Sequence, residues 1–305
     1  MRLFITGGAG FVGAATVRAA LKAGHNVAVP IRPGNPAQRL ASFEGRYRRF
    51  SLDLRDRSAV ATAMAGFRPE AVVHLAWWGV ANSARFESGQ VADNIGVACA
   101  IAELTAQSGA GTFIALGSQA EYGPASTMEE DALPRPTTLY GAAKVAALYL
   151  TQQIARQSGV RHAWLRLFST YGPDDNEGWL IPLLITEMLA GRRPQTTLGT
   201  QKWDWLYVDD VARAILAVAA APKAEGVFNL GSARGVTVRS VIDLVRDLAA
   251  PGMELKYGEV PFRPHQVMHM QASISRLTAA TGWTPEVPIE EGLAATVAWY
   301  RAQAR

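Results

Sequence analysis

The chain has a single cysteine, Cys99, among 305 residues, which excludes an intrachain disulfide and suits a reducing compartment. Cys99 falls in an Ala-rich, helical-looking stretch and reads as core. No run of about 18 or more apolar residues is present, so no membrane-spanning helix is expected. Lys and Arg form no dense block and the net charge is only +4. That excess suits an anionic small ligand, and nucleic acid is not expected as a partner. No cluster of carboxylates or thiols completes a metal site. His265 and His269 are four apart, yet Gln266, Val267 and Met268 between them supply no metalloprotease glutamate, so no metal is expected. Internal repeats and low-complexity segments are missing too. The first strand begins at residue 2, which leaves no room for a signal sequence, and the expected location is the cytoplasm.

The 49% hydrophobic content allows one large core or two smaller ones. The opening stretch MRLFITGGAGFVG reads as a buried strand running into a glycine turn. Gly7, Gly10 and Gly13 are spaced G-x-x-G-x-x-G, and Phe11 to Ala23 is rich in Ala, Val and Leu before Gly24 stops it. The first glycine permits the tight turn, the second lets backbone N–H groups approach a pyrophosphate, and the third lets helix and strand pack closely. The positive end of the helix then faces the phosphates. A strand before, a helix after and a second strand at Asn26 to Ile31 make a βαβ unit, so dinucleotide binding is expected. Further strands are expected at Tyr47 to Leu52, Ala71 to Ala76, Thr112 to Ser118 and His162 to Phe168. Helices are expected at Arg57 to Ala65, Val91 to Ser108 and Leu139 to Ser158. This alternation predicts an α/β fold, a doubly wound parallel sheet with ligands at the carboxyl ends of the strands.

An acidic residue at the end of the second strand would hydrogen-bond the ribose 2′-hydroxyl of NAD. Pro30, Ile31 and Arg32 stand there instead. Arg32 is placed to pair in bidentate fashion with a 2′-phosphate, so NADP is predicted, with NAD as the alternative. Asp53 is placed to accept from the adenine amino group, or is only a loop carboxylate ahead of a helix capped by Asp56.

Tyr140 and Lys144 are four apart on an expected helix and share a face. A nearby ammonium favours the phenolate and is expected to lower the tyrosine pKa from about 10 towards neutrality, which would fit Tyr140 for acid–base work. The lysine is also placed to hold the nicotinamide ribose. Ser118 ends the fifth strand, where a hydroxyl can steady the substrate oxygen. Trp77 and Trp78 follow the fourth strand and either form an apolar wall near the nicotinamide or simply pack. His74 reads as a packed strand-end residue, and Asp209 and Asp210 as carboxylates favouring a helix N-terminus.

TGGAGFVG, the HLA of His74 to Ala76, GSQAEYG at Gly117 to Gly123 and YGAAK at Tyr140 to Lys144 together resemble the extended short-chain dehydrogenase/reductase family, in its sugar-nucleotide epimerase, dehydratase and reductase branch. LRLFSTYGP at Leu165 to Pro173, WLYVDDVARAI at Trp205 to Ile215, VFNLGS at Val227 to Ser232, FRP at Phe262 to Pro264 and the ending TGWTP…EEGLAATVAWY agree with it, in order, over almost the whole chain. The resemblance implies a Rossmann domain of residues 1–168 plus about 204–230, and a smaller domain of about 169–203 plus 231–305 that takes a nucleotide sugar. It implies Ser118, Tyr140 and Lys144 as the catalytic set. Gly7, Gly10, Phe11, Val12, Gly13, Asp53, Leu54, Leu75 and Ala76 would contact the cofactor with Arg32, Tyr140 and Lys144. Trp78, Ser169 and Arg263 would meet the substrate with Ser118, Arg263 at its diphosphate unless it is a structural surface arginine. It also implies a homodimer built on the helices at Val91 to Ser108 and Leu139 to Ser158.

Departures from the family pattern bear on reaction type. The 4,6-dehydratases of this branch follow the hydroxyl residue with an Asp-Glu pair; here Gln119 and Ala120 follow Ser118, and neither exchanges protons at neutral pH. Glu121, one position on, is expected to point to the other face. Trp203 stands where many relatives place a diphosphate-gripping arginine, leaving Lys202 or Arg193 to compensate, and Ser169 stands where an asparagine is common. The leading expectation is an NADPH-dependent reductase of a nucleotide-linked 4-keto-6-deoxyhexose. The alternatives are an NAD-dependent 4-epimerase and, more remotely, a dinucleotide-sensing regulator without catalysis.

Overall fold

The computed structural model describes residues 1–124, 128–263 and 266–303. Eleven strands and ten helices follow one another among them. The first stretch runs β1 (Arg2–Thr6), α1 (Phe11–Lys22), β2 (Asn26–Ile31), β3 (Arg48–Ser51), α2 (Arg57–Phe67) and β4 (Ala71–His74). Next come α3 (Gly89–Ala92), α4 (Ile95–Gln107), β5 (Thr112–Ser118), α5 (Leu139–Gln157) and β6 (Arg161–Leu167). Then follow β7 (Ser169–Tyr171), α6 (Leu180–Leu189), β8 (Lys202–Tyr207), α7 (Val208–Ala220) and β9 (Gly226–Leu230). The chain closes with β10 (Gly235–Thr237), α8 (Val238–Ala249), β11 (His269–Met270), α9 (Ser275–Thr281) and α10 (Ile289–Gln303).

Seven strands form one parallel sheet in the order β3-β2-β1-β4-β5-β6-β9. The order reverses beside β1, which puts a crevice at the carboxyl ends of β1 and β4. β1, β2 and β4 read as nearly unbroken apolar runs because helices cover both faces, whereas β3 at the edge, RRFS, is largely exposed. Leu3 and Ile5 point to the side covered by α1, α7 and α9, where Val17, Val211, Ile215 and Leu277 are buried. Phe4 and Val72 point to the other side, against Val60, Ile101 and Leu148 of α2, α4 and α5. A third apolar cluster gathers α6, α8 and α10 around Trp205 of β8. There β8 pairs with β7, β10 and β11. Asp56 caps α2 by accepting from the Ala59 N–H at 3.0 Å.

Most expected elements are met to within two residues at either end, and two differences have a visible cause. The fourth strand stops at His74 rather than Ala76, because the chain turns there to pass under the glycine loop. The single helix expected from Val91 to Ser108 is two pieces. The Asn94 side chain bonds the backbone N–H (2.7 Å) and carbonyl (3.1 Å) of Trp78, and the Gln90 amide bonds the carbonyls of Gly79 (2.6 Å) and Ala84 (3.0 Å). Both residues are therefore committed to the loop after β4, and the helix breaks between them.

His74, Phe113, His162 and Trp164 stack in sequence across β4, β5 and β6, at centroid separations of 6.2, 5.7 and 6.3 Å. His74 Nδ1 and Thr6 Oγ1 are 2.8 Å apart, and His162 Nε2 and Thr151 Oγ1 are 3.0 Å apart. Burial lowers the two imidazoles from their ordinary 6.5 to about 3 and about 4. The unfolded chain therefore takes up protons that the folded chain refuses as pH falls from about 6.5 towards about 3. Stability is full above that window and is lost on acidification within it, by several kcal/mol at about 1.4 kcal/mol per unit. Urea midpoints measured across pH 3 to 7 should show this slope, and His74→Gln should shrink it; an unchanged slope would contradict the linkage.

Candidate active site

The site is built from the glycine turn outwards. Gly7 takes a left-handed backbone (φ 69°), and a Cβ there would lie 2.5 Å from Ala76 N. A Cβ on Gly13 would collide with the Gly7 carbonyl oxygen. Gly7 and Gly13 thus let β1, the start of α1 and the segment just after β4 meet. Gly10 is the N-cap of α1 and contributes no side-chain cap, so the first-turn N–H groups and the positive helix end are left for an anion. That cradle fits a dinucleotide pyrophosphate. The Phe11 ring is packed against Val208 and Ala212, so that residue can offer only its backbone. Val12 and Leu75 are half-buried against the core on the α1 side of the sheet, and Leu54 on the other.

Ser118 ends β5 and starts a tight turn over Gln119–Glu121 whose amides it caps. Thr138 caps α5 by accepting from the Gly141 N–H at 3.0 Å. Gly141 matters because a Cβ there would lie 2.5 Å from the Ala120 carbonyl oxygen. The close approach of α5 to the turn after β5 brings Tyr140 to Ser118. Lys144 follows one helical turn along. All three are buried, at 7%, 5% and 4% exposure for Ser118, Tyr140 and Lys144.

The electrostatics differ from the expectation that Lys144 lowers the phenol. The Lys144 ammonium donates to the Leu116 carbonyl at 2.7 Å and sits 3.5 Å from the Trp77 ring centroid, against 5.9 Å for the Tyr140 ring. Burial brings the lysine itself down to about 7. Burial likewise raises Tyr140 above its ordinary value, and it outweighs the Ser118 hydroxyl and the Arg85 guanidinium, which favour the phenolate. Desolvation dominates at both groups, over Ser118 and Arg85 at the phenol and over the Glu121 carboxylate at the lysine.

Trp77 stands edge-on to Tyr140 at 6.3 Å, with its indole N–H on Gln90. Trp77 is partly buried and packs against the core on the α5 side, while the Trp78 backbone is held by Asn94 and its ring opens towards solvent at 39% exposure. Ser169 is half-buried at the start of β7, and Arg263 is exposed. Arg32 lies 3.8 Å from Asp53, and Arg55 takes both oxygens of that carboxylate, at 3.1 and 2.8 Å. Asp53 is held at about 2, first by Arg55. Arg193 is bonded to Glu259, which leaves it no free fork to stand in for Trp203. The Trp203 indole N–H donates to the Val267 carbonyl at 2.8 Å, and Lys202 is exposed at the start of β8.

Glu121 lies in the turn after β5, not on a strand, and is fully buried. It accepts from the Ser118 N–H, the Trp164 indole and Arg166 Nε at 2.8, 2.9 and 2.8 Å. Asp210 opens α7 and does more than favour its N-terminus, accepting from the N–H groups of Glu286 and Val287 at 3.0 Å. His269 is exposed on β11, and His265 lies outside the described residues.

The model of the NAD dependent epimerase/dehydratase family matches residues 3–231. The chain belongs to that family. It is 30% identical to the dTDP-glucose 4,6-dehydratase of Streptomyces griseus, over 98% of this chain and 93% of that protein. The UDP-glucose 4-epimerase of Thermotoga maritima, solved with UDP-glucose, matches at TM-score 0.90 and 28% identity over 100% of both chains. The UDP-glucose 4-epimerase of Thermus thermophilus, solved in complex with NAD, matches at 0.84 and 27%, over 99% of both. The fold is accordingly the Rossmann-like α/β fold of these epimerases.

Sequence reasoning missed Arg85, whose guanidinium carbon lies 4.9 Å from the Tyr140 ring centroid. No local pattern marks it, since its loop is placed by the buried amides of Gln90 and Asn94. It also did not foresee that Trp77 would shield Lys144.

Proposed function

We propose that this chain is an NAD(P)-dependent oxidoreductase of a nucleotide-linked sugar, most simply a reductase of a 4-keto-6-deoxyhexose. The observation that carries this reading is the buried group of Ser118, Tyr140 and Lys144 at the carboxyl edge of the sheet. The nicotinamide supplies the hydride when bound. Gly10, Phe11, Val12 and Gly13 would hold its pyrophosphate through backbone N–H groups, and Lys144 its ribose. Ser118 steadies the keto oxygen, and Tyr140 Oη delivers a proton to it. The raised phenol stays protonated at neutral pH, the form in which it holds the proton to be given. Trp77 and Trp78 border the sugar, while Ser169 and Arg263, with the smaller sheet behind them, face the nucleotide.

Elimination, as in a dehydratase, requires a second proton-transfer group beside the hydroxyl residue. Gln119 and Ala120 provide none, and Glu121 is committed to Arg166 and Trp164. No acidic residue closes β2 in sequence, and the exposed Arg32 that follows it, 3.8 Å from the Asp53 carboxylate, supports NADP. The likeness to 4-epimerases, one of them solved with NAD, supports the second reading, a 4-epimerase in which Tyr140 first removes the hydroxyl proton.

Stoichiometry separates the two. A reductase consumes one NADPH per sugar converted and binds NADPH more tightly than NADH; an epimerase shows no net consumption. A preference for NADH with no net turnover of cofactor would overturn the reductase reading. Exposed Val91, Tyr149 and Leu150, beside α4 and on α5, support a second copy of the chain as partner through these helices.

A further inference from the structure

Arg85 sits in the loop after β4, sandwiched between the candidate acid and the start of α6. Its backbone carbonyl accepts the Tyr140 N–H at 3.0 Å, and its Nε donates to the Val80 carbonyl at 3.1 Å. The guanidinium carbon lies 4.9 Å from the Tyr140 ring centroid and 5.8 Å from that of Trp179. Trp179 precedes the first turn of α6, which no side chain caps. Arg85 is half-buried. Among the described residues, no carboxylate pairs with it and neither terminal nitrogen donates a hydrogen bond.

Other inward-facing arginines of this chain are matched. Arg166 is paired with Glu121, Arg213 with Asp210, and Arg161 donates to three backbone carbonyls. Arg85 instead keeps both terminal nitrogens without a partner among the described residues, and burial lowers its pKa from the ordinary arginine value. A half-buried guanidinium left in this way is stabilised when an anion lies against it. Its planar fork suits paired anionic oxygens.

We propose that Arg85 is a specificity-determining residue that holds anionic oxygens of the substrate against the Tyr140 ring. The inference rests on the nucleotide-sugar reading above. It assigns Arg85 a substrate contact that the family motifs do not mark. The diphosphate of such a substrate carries the required chemistry, as does a ring carboxylate where the sugar is a uronate in place of the 6-deoxyhexose. Because Arg85 stacks on the tyrosine that serves the reacting carbon, an anion bound there sets the distance from sugar to phenol.

Arg85→Gln and Arg85→Lys should be compared with the wild type by calorimetric binding of UDP, dTDP, CDP and GDP, and of UDP-glucose against UDP-glucuronic acid. Arg85→Gln is expected to weaken an anion contact at least about 10-fold, with Arg85→Lys intermediate because it keeps charge without the fork. Weakening shared by the free nucleoside diphosphates assigns the diphosphate; weakening confined to the uronate assigns the ring carboxylate. Thermal midpoint and NAD(P) affinity should stay near wild type, which separates the effect from misfolding. A wild type that binds a nucleotide while Arg85→Gln binds every member equally well overturns the inference alone. A wild type that binds none of the panel overturns the nucleotide-sugar reading and the inference with it.

Discussion

Tyr140→Phe is expected to lower turnover by about 100-fold to 10,000-fold, the usual contribution of a positioned general acid, with little change in affinity for the nicotinamide cofactor. The ring of Tyr140 has structural work that phenylalanine can take over. It stacks under Arg85, stands edge-on to Trp77 and is almost fully buried. The α5 N-terminus is fixed by Thr138 and by the Arg85 carbonyl, neither of which involves the phenol oxygen. Only the proton-carrying atom is removed. Steady-state kinetics with sugar and cofactor both saturating, together with cofactor titration, read the two effects separately. A variant keeping more than about a tenth of the turnover would show that another group moves the proton. Loss of cofactor binding in parallel would show that the phenol acts in binding instead.

The parts of this site that were legible in the sequence are those whose physics is local. The glycine turn needs Gly7 and Gly13 within one βαβ unit, so its spacing is visible directly, and the collisions a Cβ would meet there explain it. Tyr140 and Lys144 share a helix face by periodicity alone. The meeting of Ser118 with Tyr140 was legible only coarsely, from Ser118 ending the fifth strand at its carboxyl edge and from the resemblance, since the contact itself depends on α5 passing over Ala120 where Gly141 allows it. Charge states were not legible. Proximity of lysine to tyrosine predicts a lowered phenol, but burial, which spacing does not report, reverses the direction. Long-range pairs were also hidden: Arg193 meets Glu259 across 66 positions of sequence. The break in the expected helix at Asn94 belongs to the same class, because it follows from hydrogen bonds to a loop rather than from helix propensity.

Glu121→Ala should be the most destabilising single change at this site, costing about 3 to 5 kcal/mol, because it strands a buried guanidinium. Arg166 is 2% exposed, and Glu121 is its carboxylate partner at 2.8 Å. Its other contacts are the Glu130 carbonyl at 3.1 Å and the Tyr122 ring at 4.5 Å, and neither carries a full negative charge. The same deletion leaves the Ser118 N–H and the Trp164 indole N–H without an acceptor. In a chain of this size that loss corresponds to a fall of roughly 10 °C in the thermal midpoint. Removing both charges tests the cause. Arg166→Met combined with Glu121→Ala should recover part of the midpoint, since no unpaired charge remains, but not all of it, since the two N–H groups stay unsatisfied. Strict additivity of the two substitutions would show that the ion pair is not what the fold depends on here. Glu121→Gln, which keeps an acceptor for Ser118 and Trp164, should lose less than Glu121→Ala while still breaking the charge match. A ranking with Gln as damaging as Ala would assign the whole cost to the lost charge, and a Gln variant as stable as wild type would assign it to the hydrogen bonds.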